Sequence, residues 1–430
     1  MKHPLLRLTL AITLAGAIAA RADAVLDWNA IASQTILAGG RPGPSFILDF
    51  AVVQGAVHDA VQAYDQRFEP YATDIPGASG SPVAAVAKTT RDVLVNRFPA
   101  QAASVHATYL AYLAAKGLDE TDPGVLVGQQ AAAGMIVLRA GDGSFPNPAP
   151  PNFVGANLPG VWRPTPSYLP GGPPSFAPMA VPWVGEVTCF TLLSSSQFRA
   201  QAPPALTSSQ YEQDYNEVKA LGSLNSTERT PEQTQAARFW SDNLPAQWNR
   251  ALRSVAEAHL DNMGDTARLF ALAWLASTDA FITTWETKKH YAFWRPVTAI
   301  QEGENDGNPD TIGDATWQPL INTPNYPDQS SGANAVTAAM TRSLALFFGT
   351  DWVTFTVTSN HPLASPNTRT YERFSDAADE VVEARIYQGI HFRFADIDGR
   401  KVGKHAANWT FENALRPIQG DEDEDHDDQD

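Results

Sequence analysis

Helical spacing of apolar residues, with little of the alternation typical of strands, is the feature that most limits how this chain can fold. Residues 86–98, 101–116 and 123–140 are rich in Ala, Leu and Val, and the Pro-Gly pair at 123–124 suits a helix start. No segment alternates between apolar and polar residues strongly enough to predict a substantial sheet. The sequence therefore predicts an all-α fold.

A longer helix is predicted from Asp265, because large apolar side chains recur there at helical spacings of four or seven residues. This stripe comprises Phe270, Trp274, Phe281 and Trp285. The helix is expected to run as far as Pro296, which cannot continue it.

The N-terminus predicts export. Two basic residues, Lys2 and Arg7, precede the apolar run LTLAITLAGAIAA, and small residues follow it up to Ala24. Residues 1–24 are interpreted as a secretory signal, because the apolar run is too short to span a bilayer and ends in a cleavage-like pattern. We expect a secreted or periplasmic protein with no membrane insertion.

The rest of the chain is expected to form a single helical domain over residues 25–416. A Pro/Gly-rich stretch at 144–182 has no clear period and reads as a surface excursion rather than a linker. It separates an N-terminal half, 25–182, from a C-terminal half, 183–416. Residues 417–430 are predicted to be a disordered acidic tail, since the last ten include eight acids.

Charge and cysteine content exclude two classes of protein. The formal net charge is −17, and it is still −9 without the last ten residues, which argues against a nucleic-acid partner. The single cysteine, Cys189, cannot form an internal disulfide. Stability must therefore come from packing.

Three cations fall on helix faces that are predicted to be buried. Lys288 lies three residues after Trp285 on the apolar stripe, and Arg295 lies seven residues further on. Arg385 continues the apolar face of another predicted helix, from Tyr371 to Gln388. Burying an unpaired cation costs several kcal/mol. These side chains need either one shared anion or separate acidic partners.

The segment NYPDQSSGANA, residues 325–335, is typical of a loop that presents N–H groups to an anion. A helix is predicted to begin there at Ser330 or Ser331 and to end at Gly349. Its N-terminal N–H groups, beginning at Gly332, would carry a partial positive charge.

His391 follows Arg385 by six residues, with Gly389 between them. On an unbroken helix the two side chains would point about 120° apart, but a glycine permits a bend that brings both to one pocket. A histidine so placed could bind the central atom of the anion through a ring nitrogen.

These residues also form an ordered set of motifs. The chain contains K-x6-R-P at residues 288–296, SSGAN at 330–334 where a P-S-G-H segment would stand, and R-x5-H at 385–391. In this order and spacing the chain resembles the vanadium-dependent haloperoxidase and type 2 phosphatidic acid phosphatase superfamily. The WRP and ARIYQGIHFRF contexts are most similar to its bacterial chloroperoxidase-like branch. The resemblance covers roughly residues 280–410.

The resemblance implies two four-helix-type bundles, with the site in the C-terminal one. It implies that the equatorial oxygens of vanadate, or of phosphate, are held by Lys288, Arg295, Ser331, Gly332 and Arg385. His391 would be the apical group, coordinating vanadium in a peroxidase or attacking phosphorus in a phosphatase. Trp285 and Tyr326 match positions that line the halide side of the pocket.

The chain departs from the motif at two positions. Ala333 stands where the histidine of S-G-H acts as a general acid or base, a role worth about 10²–10⁴ in rate. Candidates to replace it near in sequence are His290, Asp328 and His361. The acid that often follows the last histidine by four residues is Ala395 here, with Asp396 one step later.

The expected function is therefore a haloperoxidase-like oxidation of halide by hydrogen peroxide, with vanadate as cofactor. The alternatives are an acid phosphatase that acts through a phosphohistidine and a non-catalytic oxyanion-binding protein. The expected partners are small molecules: peroxide and halide, or a phosphate ester.

Overall fold

The computed structural model describes residues 23–145, 153–168 and 173–418. Within these ranges the chain forms thirteen α-helices and one two-stranded antiparallel hairpin, which confirms the predicted all-α fold. Most of the predicted leader, up to residue 22, and the tail from 419 lie outside the described residues. Among the helices that are described, none has both the length and the apolar character needed to cross a bilayer.

The N-terminal half contains five helices. They are α1 (Ala24–Ala38), α2 (Ile47–Asp65), α3 (Pro82–Arg97), α4 (Ala102–Ala115) and α5 (Gly124–Leu138). The last three match the three predicted segments. Helix α3 packs against α2 and α5, and α2 also packs against a long helix of the C-terminal half.

The C-terminal half contains the other eight helices and the hairpin. The helices are α6 (Ser209–Leu221), α7 (Pro231–Phe239), α8 (Leu244–His259), α9 (Met263–Tyr291), α10 (Pro296–Gln301), α11 (Gly332–Phe348), α12 (Phe374–Tyr387) and α13 (Arg393–Asn413). Strands β1 (Phe355–Thr358) and β2 (Thr368–Tyr371) pair with Phe355 opposite Tyr371.

Helix α9 is the central element, and it is buried along most of its 29 residues. It packs against α2, α11 and α13, so its apolar stripe faces both halves of the chain. Trp274 stacks on Phe50 of α2, with ring centroids 4.4 Å apart. The Asn249 side chain exchanges hydrogen bonds of 2.9 and 3.0 Å with Asn29 of α1. One core therefore spans the two halves.

The predicted extent of this helix was wrong at its C-terminal end. Helix α9 ends at Tyr291, because Ala292 has a left-handed conformation with φ of 47°. Arg295 has extended backbone and is the N-cap of α10, and Pro296 is the first residue of that helix. Proline suits this position because its missing N–H has no helical acceptor there. Arg295 therefore reaches the interior from a loop and not from the helical stripe.

The predicted boundaries of α11 are confirmed. Ser331 is its N-cap, and Gly349 ends it with φ of 68°, a conformation that glycine adopts without strain. Two glycines let α13 approach the start of α11. A Cβ atom would lie 2.3 Å from Ser331 O at position 399, and 2.1 Å from Ala335 O at position 403.

The Pro/Gly-rich excursion lies against the loops of the C-terminal half. Trp162 N–H donates to Ala292 O at 2.6 Å, and Ala180 N–H donates to Asn325 O at 2.9 Å. Its described parts thus cover the end of α9 and the beginning of the NYPDQSSGANA loop.

Candidate active site

Lys288 lies fully buried in the last turn of α9. Its Nζ donates to Pro327 O at 2.6 Å and to Asp328 O at 3.0 Å, so the lysine fastens the NYPDQSSGANA loop to the helix. Burial and the neighbouring Arg295 guanidinium hold the pKa of Lys288 well below its usual range.

Arg295 is also fully buried and ties three segments together. Its Nε donates to Tyr326 O at 2.7 Å, and its Nη1 donates to Ile390 O at 2.6 Å. The same nitrogen lies 3.4 Å from Asp328 Oδ1. Its Nη2 is buried without a hydrogen-bond partner, which leaves one N–H group pair free for a ligand.

Arg385 occupies the last turn of α12 and is partly exposed. Its Nε is buried and has no partner. Burial lowers the pKa of Arg385 and the nearby Arg295 guanidinium acts in the same direction. The structure thus brings the three predicted cations together. The sequence predicted that they share one anion or have separate acidic partners, and of the three only Arg295 has an acidic partner.

His391 lies between α12 and α13, just after Gly389, whose φ of 78° makes the predicted bend. Its Nδ1 lies 2.7 Å from Asp328 Oδ1, and its Nε2 lies 3.1 Å from Arg295 Nη1. Burial and the surrounding cations lower the pKa of His391 well below its usual range. The lowered pKa favours the neutral imidazole, and with the proton on Nδ1 facing a carboxylate, Nε2 carries the lone pair, which faces Arg295 Nη1.

Asp328 orients this histidine, a role that the sequence did not predict for it. Its carboxyl group is fully buried, and burial raises its pKa to about 7 although Arg295 and Lys288 act in the opposite direction. Asp328 was one of the candidates to replace the missing proton carrier, but it contacts His391, which points to an orienting role instead. The sequence feature that could have indicated this role is the position of Asp328 within the NYPDQSSGANA loop.

The start of α11 presents free N–H groups beside these side chains. Ser331 N–H donates to Ala395 O, and Ala335 N–H closes the first helical bond to Ser331 O. The N–H groups of Gly332 and Ala333 fall in the first turn, where no helical acceptor exists. A Cβ on Gly332 would lie 3.0 Å from Trp285 Cζ3, so a glycine suits this close approach.

Asp396 is fully buried behind the same turn. Asn334 Nδ2 donates to Asp396 Oδ1 at 2.8 Å and lies 3.3 Å from Ser331 Oγ. Burial raises the pKa of Asp396 well above its usual range, and its hydrogen bonds with Ser331 and Asn334 lower it in part. Asp396 stands one residue after the position of the acid in the motif. It is hydrogen-bonded to Ser331, whereas Asp328 contacts His391.

Trp285 and Tyr326, which are predicted to line the halide side of the pocket, lie side by side with ring centroids 4.9 Å apart. Trp285 Nε1 donates to Ala180 O at 3.1 Å, and the Tyr326 ring faces Lys288 Nζ at 5.1 Å. Both residues line a cleft of about 320 Å³, together with Gly332, Ala333 and Arg385. The cleft thus reaches the cation cluster at Arg385.

The other two candidates for the proton carrier lie elsewhere. His290 is exposed at the end of α9 and packs on Tyr291. His361 follows β1, where its Nδ1 accepts from Leu363 N–H at 3.3 Å. Neither side chain contacts the three cations.

This donor set fits an oxyanion such as vanadate or phosphate. Three cations, two of their nitrogens without partners, and a helix N-terminus surround one neutral histidine nitrogen. No cluster of three or more His, Cys, Asp or Glu side chains suited to a bare metal ion occurs in residues 23–145, 153–168 and 173–418. The site residues therefore suit an anion that is held by cations and has a single imidazole ligand.

Part of the chain matches a known protein family. Residues 268–420 match the family described as VCPO second helical-bundle domain. Vanadium chloroperoxidase from Curvularia inaequalis is 33% identical over 187 residues. That match covers 37% of this chain and 30% of the relative's length.

Solved structures share the fold over most of the chain. A bacterial vanadium-dependent iodoperoxidase has a TM-score of 0.77 and 23% identity, covering 93% of this chain and 97% of its own. An apo-type bacterial vanadium-dependent chloroperoxidase has a TM-score of 0.70 and 17% identity, covering 85% and 92%. Together with the family match over residues 268–420 and the chloroperoxidase match, these shared folds support the predicted resemblance of the chain to the vanadium-dependent haloperoxidase and type 2 phosphatidic acid phosphatase superfamily.

Proposed function

We propose that the protein is a haloperoxidase that uses vanadate to oxidise halide with hydrogen peroxide. The observation that carries the proposal is a neutral imidazole nitrogen, oriented by Asp328, among three buried or half-buried cations. The relatives named above, a chloroperoxidase and an iodoperoxidase that depend on vanadium, support the same reaction.

Each residue of the site has a role that follows from its contacts. Lys288, Arg295 and Arg385 would hold the oxyanion, and the first turn of α11, with Ser331 and Gly332, would complete the cradle. His391 Nε2 would bind vanadium. When bound, vanadate would activate peroxide so that halide can attack it, with no change in the oxidation state of the metal. The net reaction joins peroxide, halide and one proton to give hypohalous acid and water.

The proton in this reaction needs a carrier, because the methyl group of Ala333 cannot supply one. Asp396 is the buried acid hydrogen-bonded to Ser331 and Asn334. Its raised pKa favours a carboxyl group that keeps its proton beside the cradle. We assign to this carboxyl the task of holding the proton near Ser331 Oγ.

A phosphatase reaction is the second candidate, since the same neutral His391 nitrogen could attack phosphorus in a cradle that suits a transferring phosphoryl group. In that case the methyl group of Ala333 could not protonate the leaving oxygen. Activated aryl phosphates should then be better substrates than alkyl phosphates.

The test is to reconstitute the protein with vanadate and measure iodide and bromide oxidation with peroxide, alongside release of phosphate from an aryl phosphate. We expect halide oxidation that falls by at least about 10²-fold in His391→Ala. His290→Ala is the matched control, because that histidine is exposed. It should retain wild-type activity.

Three results would change the conclusion. Halide oxidation equal in wild type and His391→Ala would rule out the peroxidase. Vanadate-inhibited phosphate release that depends on His391 would favour the phosphatase. Vanadate binding with neither activity would leave an oxyanion-binding protein.

A further inference from the structure

The five residues between Arg385 and His391 form a bend, and its path decides how these two side chains are placed relative to each other. Helix α12 ends at Tyr387, and Gly389 has φ of 78°, so the chain turns just before His391. Glycine adopts a wide range of backbone conformations. Contacts from other elements must therefore fix the turn.

Gln388 lies in the middle of this bend and is fully buried. Its Nε2 donates to Ala237 O at 2.8 Å and to Ser241 Oγ at 3.0 Å. Ala237 belongs to α7, and Ser241 follows that helix closely. A buried amide is costly unless it is hydrogen-bonded, and hydrogen bonds have a preferred direction. These two bonds fasten the bend to α7 in a defined orientation.

The residue before Gln388 is held by the same helix and the residue in front of it. Arg229 Nη1 donates to Tyr387 O at 3.3 Å, and Gln233 Nε2 of α7 donates to Tyr387 Oη at 3.1 Å. The start of α7 is itself fixed by reciprocal hydrogen bonds between Thr230 and Gln233. Helix α7 thus supports two successive residues of the bend.

The residues after Gln388 are also closely packed. A Cβ atom on Gly389 would lie 2.3 Å from Gly222 O and 2.9 Å from Pro319 Cβ. Arg295 Nη1 donates to Ile390 O at 2.6 Å. The chain therefore has defined contacts both before and after its central glutamine.

We propose that Gln388 is a positioning residue that places His391 relative to Arg385 by fastening the bend to α7. The inference rests on the proposed oxyanion site, and Gln388 acts through the backbone of the bend rather than by contact with the anion. Binding sites of this kind depend on placement to within about 0.5 Å. Outer partners of metal-binding histidines are worth about 10–100-fold in affinity.

The first test compares two buried glutamines. Gln388→Met keeps the length of the side chain and removes both hydrogen bonds. Gln247→Met is the matched control, because Gln247 is also fully buried and its Nε2 donates to a carbonyl of α7, Phe239 O, at 3.3 Å. Gln247 lies on α8 and outside the bend. We expect similar losses of thermal stability, but an affinity for vanadate that falls about tenfold only in Gln388→Met. Calorimetric titration measures this affinity.

The second test needs no anion. The nuclear magnetic resonance signals of the His391 ring nitrogens, assigned with His391→Ala, should shift in Gln388→Met and stay unchanged in Gln247→Met. Ser241→Ala removes one of the two acceptors of Gln388 and should cause a smaller shift of the same signals. The test therefore does not depend on one variant folding.

Failure of this inference differs from failure of the proposed function. His391 signals that are unchanged in Gln388→Met, or that shift equally in both glutamine variants, overturn the positioning role. Equal affinities of the two variants for vanadate overturn it as well. Absence of vanadate binding by the wild type refutes the proposed function alone, provided that the His391 signals still shift only in Gln388→Met and, less, in Ser241→Ala.

Discussion

At position 333 a methyl group stands where the motif has an imidazole, and two buried acids nearby take different partners. Asp328 binds His391, and Asp396 binds Asn334 and Ser331. We therefore propose that separate carboxyl groups orient the predicted vanadium-binding histidine and hold a proton. Each assignment makes its own prediction.

Asp328→Asn should lower the preference of the site for vanadate over phosphate. Loss of the neighbouring negative charge should change the affinity for both anions equally, but only vanadate binding would depend on coordination by His391. Outer-sphere partners of metal-binding histidines are typically worth about 10–100-fold in affinity, and we expect the ratio of the two affinities to fall by that factor. Competitive titration of phosphate against vanadate measures it.

Asp310→Asn is the control, because Asp310 is exposed and lies outside the site. An unchanged ratio of vanadate to phosphate affinity in Asp328→Asn would contradict an orienting role for Asp328.

Asp396→Asn should stabilise the protein increasingly as pH rises. The pKa of Asp396 is raised in the folded state, so folding keeps a proton that the unfolded chain releases above about pH 4. Wild-type stability then falls with rising pH through this group, by at most about 1.4 kcal/mol per pH unit. Asparagine has no such proton to lose.

The measurement is thermal unfolding from pH 4 to 8 in buffers without phosphate, which would bind the cradle. The Tm of Asp396→Asn should rise relative to wild type across this range, and parallel profiles would show that Asp396 is not buried as a proton-bearing acid. Asp310→Asn again serves as the reference.

At the scale of elements, the cradle depends on how closely α13 lies against the start of α11. Gly399 faces Ser331 and Gly403 faces Ala335, each with no room for a Cβ atom. Both Gly399→Ala and Gly403→Ala should therefore reduce stability by about 1–3 kcal/mol through overpacking.

The two variants should differ in anion binding. Gly399→Ala pushes directly on Ser331, the residue that starts the cradle, whereas Gly403→Ala pushes one turn further along α11. We expect a greater loss of vanadate affinity in Gly399→Ala at similar stability. Urea unfolding and vanadate titration of both variants check this, and equal affinities would mean that the helix start is not displaced.

At the scale of the whole molecule, the two halves share one core. Phe50 of α2 stacks on Trp274 of α9, and Asn29 pairs with Asn249. Residues 25–182 and 183–416 produced separately should therefore lack a cooperative thermal transition, and should recover one when combined. A cooperative transition of 183–416 alone, close to that of the full chain by circular dichroism, would show two independent domains.

The sequence determined the helical class of the fold, the boundaries of α11 at Ser331 and Gly349, and the members of the cation cluster, because helical spacing, capping and the motif order are local patterns. The tertiary structure decided what those residues contact. Arg295 reaches the cluster from a loop, since Ala292 ends α9 earlier than Pro296 would. The acid beside His391 is Asp328 rather than Asp396, and the cleft takes a wall from Phe46 and Ile47. Such contacts join residues far apart in the chain, and only the packing of α2, α9, α11 and α13 brings them together.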